Sequence, residues 1–199
     1  MMPPPPAQPR RIAVAISGNG TLLQAVMDAC AAGVLNANVA LVLSTNAHAY
    51  GLARAQNAGI PTAVVPKNEF PNDAACAQAR HEVLANAKPD FIVLAGFLGK
   101  LAPQTIAAFP RRVINCHPAL LPAFGGKGMY GRHVHEAVIA SGATQSGCTI
   151  HYVDEHYDNG EILAQDKIPV LPGDTPETLA ARLATIEPAL LVKTLQQLI

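Results

Sequence analysis

Charge is scarce in this sequence: only 14% of its 199 residues are Asp, Glu, Lys or Arg, and the formal net charge is +0. A neutral chain has no global field to gather polyanions, which argues against nucleic acid or an acidic membrane surface as partner. Any anion must be met by local groups. Long apolar runs are missing too; the longest, Phe91 to Leu98, falls far short of the roughly 20 residues a membrane-spanning helix needs. The four cysteines, Cys30, Cys76, Cys116 and Cys148, include no C-x-x-C pair and no histidines at zinc-finger spacing, so they read as reduced, mostly buried thiols. No internal repeat and no domain boundary is visible.

Apolar side chains are plentiful, at 50%, enough for one good core in a length that fits one domain better than two. Residues 1–10, with Pro3, Pro4, Pro5, Pro6 and Pro9, read as a disordered leader that can neither pair as a strand nor continue a helix. The leader lacks the apolar stretch of a signal peptide, so a soluble cytoplasmic protein is the expectation.

Residues 11–199 read as a single α/β domain. Buried strands are predicted at Ile12–Ile16, Val39–Leu43, Pro61–Val65, Phe91–Leu94 and Arg112–Asn115. Helices alternate with them at Thr21–Ala32, Tyr50–Ala58, Asp73–Asn86 and Pro103–Ala108. Such alternation implies a Rossmann-like, mostly parallel sheet with helices on both faces. The chain then turns irregular from Pro118 to Gly131, a loop length that usually serves function, before a helix at His133–Ala140. Gly147–Val153 and Ile162–Ile168, joined by the acidic loop Asp154–Glu161, suggest a closing antiparallel pair. Thr175-Pro176 has the form of an N-cap and first-turn proline for a terminal helix that Pro188 should kink.

Between the first strand and first helix stands Ser17-Gly18-Asn19-Gly20-Thr21, where backbone N–H groups and a helix dipole converge on an anion. A dinucleotide fingerprint would need a third glycine where Leu23 stands, and an acid after the second strand, which ends Leu43-Ser44-Thr45-Asn46. Both requirements fail. A site for a smaller phosphate remains, with Asn19 and Thr21 adding side-chain donors; the alternative is a plain turn joining strand to helix.

Asn115-Cys116-His117-Pro118 closes another strand. Side chains alternate along a strand, so Asn115 and His117 share a side and Cys116 points away, which disfavours a Cys116–His117 nucleophilic pair. Attack of an amine on a formyl carbon needs an oxyanion donor, a group to take the amine's proton and a group to protonate the departing nitrogen. An asparagine amide can serve the first, at a removal cost of roughly 3 kcal/mol. A histidine oriented by a carboxylate can serve the others. Asp154, Glu155 and Asp158 are all candidates for that carboxylate, and spacing does not choose among them. His133 and His135 face different ways on a helix, and His151 and His156 lack a third ligand, so no metal site is expected.

In these segments the sequence resembles the phosphoribosylglycinamide formyltransferases, a branch of the folate-dependent formyltransferase family. The resemblance covers nearly all the chain after Arg10. It rests on Ile16-Ser17-Gly18-Asn19-Gly20-Thr21, Val93-Leu94-Ala95-Gly96-Phe97, Asn115 through Pro122, and His151 through Asp158-Asn159-Gly160. It implies formyl transfer from 10-formyltetrahydrofolate to the amine of N1-(5-phosphoribosyl)glycinamide in purine (IMP) biosynthesis, without metal or covalent intermediate, in a monomer or homodimer.

The resemblance implies that Asn115 binds the formyl oxygen, His117 transfers protons and Asp158 tunes it. Leu98, Gly99, Lys100 and Leu101 match the pterin-holding stretch, Gly20, Thr21 and Leu22 the substrate-phosphate loop, and Glu187 an acid on the ribonucleotide. The glycines of Phe124–Gly131 suit a mobile cover.

Three positions depart from the commoner pattern. Leu22 replaces an asparagine, Gly99 replaces an arginine, leaving Lys100 beside it to reach a folate carboxylate, and Phe70–Ala75 lacks a base, leaving Lys67 nearest. A formyltetrahydrofolate hydrolase and a non-catalytic phosphosugar binder are the competing expectations.

Overall fold

A computed structural model describes residues 8–199. The leader expected over residues 1–10 falls mostly outside the described residues, and its last member, Arg10, already pairs with Ala37 in the sheet. Seven strands, β1 (Arg10–Ile16), β2 (Ala37–Ser44), β3 (Thr62–Val64), β4 (Phe91–Leu94), β5 (Val113–His117), β6 (Gln145–Tyr152) and β7 (Ile162–Pro169), form one sheet in the order β3-β2-β1-β4-β5-β6-β7. The first five are parallel, and β6 pairs antiparallel with both β5 and β7. The expected architecture is borne out.

Strand alternation divides the core into two layers. Ile12, Val14 and Ile16 pack with residues of α1 (Thr21–Ala31), α2 (Tyr50–Asn57) and α6 (Pro176–Leu198). Ala13 and Ala15 face the other way, toward α3 (Asp73–Asn86) and α4 (Pro103–Ala108). Central strands buried on both faces explain why these runs read as continuously apolar rather than alternating. A smaller cluster joins Val138 of α5 (Arg132–Ala140) to Leu179 and Leu183 of α6. Helix α6 starts at a capping box between Thr175 and Thr178 and runs unbroken through Pro188.

β5 extends two residues beyond the expected Arg112–Asn115 span. The cause is β6, which pairs Asn115 with His151 and His117 with Thr149 and so carries His117 inside the ladder. Because β6 runs down the sheet, its last residue, Tyr152, lies beside Ile114 near the start of β5. The acidic loop therefore begins at the lower end of the sheet and must fold back to reach His117. Two parallel strands, β1 and β4, lie side by side although β2 and β3 follow β1 in sequence, which makes their carboxyl ends the switch point where α/β sheets open a crevice.

Candidate functional site

A cavity of about 930 Å³ opens at that switch point, lined at one end by Ser17–Leu22 and at the other by Leu94–Leu101, with Asn115, His117, Asp158 and Glu187 between. Every site residue expected from the sequence lines it.

At the Ser17–Leu22 end, Gly20 caps α1 with φ +73, and no side chain caps the helix. The first-turn N–H groups are left to an external acceptor. The loop is held from behind: Gly51 N–H donates to the Gly18 carbonyl at 3.1 Å, and Arg54 Nε to the Asn19 carbonyl at 2.9 Å. Fixing those carbonyls outward turns the opposite ends of the peptide units inward. Asn19 Nδ2 reaches Thr21 Oγ1 at 3.4 Å, so both expected donors sit together. Leu22 lines the cavity and is buried in the apolar layer.

At the other end, Leu98 N–H donates to Ser17 Oγ at 2.8 Å, and that oxygen also accepts from Thr45 Oγ1 at 2.6 Å. Ser17 thus ties the two lobes of the cavity together. Lys100 is exposed on its wall. Lys67 is not among the lining residues and is paired with Asp73 at 2.9 Å.

Between the lobes, Asn115 and His117 project to one side of β5, while Cys116 is buried in the opposite layer, where desolvation raises its thiol pKa well above the ordinary value. Strand alternation correctly separates them. Asp158 reaches both, its Oδ1 3.6 Å from His117 Nδ1 and 3.4 Å from Asn115 Nδ2. Its backbone is left-handed, φ +53, the cost of a loop that doubles back. Neither Asp154 nor Glu155 makes a comparable contact: Asp154 instead accepts from His156 N–H and Asn159 within its own loop.

Hydrogen-bond partners fix the imidazole protons. His117 Nε2 lies 2.8 Å from the Phe124 carbonyl, which can only accept, so Nε2 carries a hydrogen and Nδ1 is the nitrogen that faces Asp158. Loop residue Gly126 donates its N–H to Asp158 Oδ2 at 3.0 Å. The Pro118–Gly131 segment is thereby fastened to both members of the pair.

His151 is the residue that sequence reasoning missed. The sequence places it in a segment of the resemblance without a role, yet its Nδ1 lies 2.8 Å from the Tyr152 carbonyl and its Nε2 3.0 Å from Asn115 Nδ2. The first contact makes Nδ1 the donor, so Nε2 accepts from the Asn115 amide. Burial pushes the His151 pKa down, which keeps it neutral despite Asp158 Oδ1 at 3.7 Å. Its signal in the sequence was an imidazole on the inward face of a strand opposite Asn115, legible only once the register is known. Glu187, on α6, has its pKa raised to about 7 by burial. Among the described residues no group of His, Cys, Asp or Glu is arranged to hold a metal ion.

The formyl transferase family model matches residues 10–195. The chain belongs to the formyl transferase family. It is 43% identical over 189 residues to a chloroplastic phosphoribosylglycinamide formyltransferase of Arabidopsis thaliana, covering 94% of this chain but 65% of that relative. It is 40% identical over 173 residues to a phosphoribosylglycinamide formyltransferase of Haemophilus influenzae, covering 87% of this chain and 79% of the relative. Glycinamide ribonucleotide transformylase 1 from Symbiobacterium toebii superposes with a TM-score of 0.89 at 36% identity, over 96% of this chain and 87% of the other. No described helix is long and apolar enough to cross a membrane.

Proposed function

We propose that this chain transfers a formyl group from 10-formyltetrahydrofolate to the amine of N1-(5-phosphoribosyl)glycinamide, as a monomer or homodimer acting on small molecules in the cytoplasm, in purine biosynthesis. The observation that carries the reading is the contact of Asp158 with both Asn115 and His117, midway between an uncapped helix N-terminus and a wall of free backbone donors. Relatives named for this activity support it.

In this reading Gly20, Thr21 and Leu22, with Asn19, receive the phosphate. Glu187 holds the ribonucleotide near the reacting centre, and Leu98, Gly99, Lys100 and Leu101 hold the pterin. The amine attacks the formyl carbon; a carbon–nitrogen bond forms and charge builds on the formyl oxygen. Asn115 stabilises that oxygen with the N–H now directed across 3.4 Å at Asp158, the weaker of its two contacts. His117 Nδ1 then moves the proton from the attacking amine to the folate nitrogen, whose bond to the formyl carbon breaks. Asp158 supports the cationic imidazole while the proton is held.

The test is tetrahydrofolate release measured with and without glycinamide ribonucleotide. Release that depends on the ribonucleotide is expected. Equal release without it points to a hydrolase, and no release in either condition defeats both enzymatic readings.

A further inference from the structure

Arg80, on α3, is a buried cation with no part in the chemistry above. It is 4% exposed, and its hydrogen bonds all end on backbone carbonyls. Nε and Nη2 donate to Val65 O at 3.2 and 3.1 Å, and Nη1 to Lys100 O at 3.3 Å. The guanidinium carbon stands 5.6 Å from the Phe97 ring centroid. Buried charges are ordinarily paired with a carboxylate. Here two carbonyls from separate segments and one aromatic face take that place.

The absence of a side chain at Gly99 leaves the room this arrangement uses. A Cβ on Gly99 would stand 2.7 Å from Arg80 Nη1 and 2.6 Å from Phe97 Cζ. The requirement is one of space, since Gly99 is not in the left-handed region. The guanidinium of Arg80 thus occupies the room beside Gly99.

Lys100 O turns back toward Arg80, so across the planar trans peptide the Leu101 N–H points to the opposite side. The N–H groups of Gly99, Lys100 and Leu101 donate to no protein acceptor among the described residues, and all three residues line the cavity. A segment with no hydrogen-bond ladder of its own needs an external strut to hold those donors in register.

We propose that Arg80, seated against Gly99, is a positioning residue for the folate: it braces Phe97–Leu101 against the end of β3 so that the free N–H groups present one ordered edge to the pterin. The proposal rests on the reading of this segment as the folate wall. Tetrahydrofolate binding to the intact chain is measured first by titration calorimetry, and its absence overturns that reading. With binding established, Arg80→Met is expected to raise the folate Kd and KM at least tenfold, more than it lowers kcat, while the ribonucleotide KM stays within twofold. Arg80→Lys, able to reach one carbonyl, should recover part of the loss. An unchanged folate Kd in Arg80→Met overturns the role of Arg80 and leaves the folate wall standing; equal losses for both substrates mark a merely structural role and overturn it as well. Should Arg80→Met not fold, Gly99→Ala displaces the same guanidinium from the other side. A folate-selective loss there is expected, and its absence overturns the proposal.

Discussion

Asn115 Nδ2 donates to His151 Nε2 at 3.0 Å, across the one pair of strands where the sheet changes from parallel to antiparallel. The contact fixes which end of the carboxamide faces the cavity. Without His151 the amide can rotate and present its oxygen, an acceptor, where a donor is needed. His151→Leu should lower kcat about tenfold to a hundredfold, by the roughly 1–3 kcal/mol that an unpartnered buried polar group costs. Asn115→Ala should cost at least as much, and the double variant less than the product of the two. Steady-state kinetics on the four proteins measure this; independent effects would separate His151 from Asn115.

His117→Ala and Asp158→Asn should each lower turnover about a hundredfold to ten-thousandfold, the range of general acid–base assistance. Folate binding should remain measurable in both, since neither residue is assigned to the pterin. Near-normal turnover in either removes that residue from proton transfer.

Glu187 carries a pH signature. Its folded pKa, raised by burial from the ordinary 4.5 to about 7, lies above its unfolded one, so the folded state binds more protons between those values. Stability should therefore fall as pH rises from about 4.5 to 7, by on the order of 2 kcal/mol from this group, and Glu187→Gln should flatten that slope in denaturant titrations. Ribonucleotide affinity should move the opposite way. The ionised carboxylate is the form that attracts a cationic amine, so KM for the ribonucleotide should fall as pH rises through 7 and lose that dependence in Glu187→Gln.

Gly20 has two reasons to lack a side chain: φ +73, and a Cβ that would stand 2.7 Å from the Gly51 Cα, which is backbone and does not yield. Gly20→Ala should destabilise the fold by about 1–3 kcal/mol and raise the ribonucleotide KM more than the folate KM. Thermal melts and paired saturation curves distinguish this from a general loss of fold.

Much of the architecture was legible because it rests on local patterns. Ile12–Ile16 and Phe91–Leu94 are apolar on both faces, and Gly33 and Gly59 close helices with positive φ. Asn115 and His117 were separable from Cys116 by alternation alone. What stayed hidden depends on register and on backbone groups. His151 becomes a partner of Asn115 only through the β5–β6 pairing, and the Phe124 carbonyl that fixes the His117 tautomer has no side-chain signature. The choice of Asp158 among three acids required resemblance before the structure placed it, because the loop's return path is a long-range matter. Gly99 read as a missing arginine, and nothing local linked it to Arg80, nineteen residues earlier on another element.

One loop holds both His117 and Asp158, the pair proposed for proton transfer, through the Phe124 carbonyl on His117 and the Gly126 N–H on Asp158. The positions of the imidazole and of the carboxylate are therefore set by one segment and not by two. A substitution that displaced this segment would release both side chains at once, so its packing governs their alignment without touching either ring or carboxylate directly.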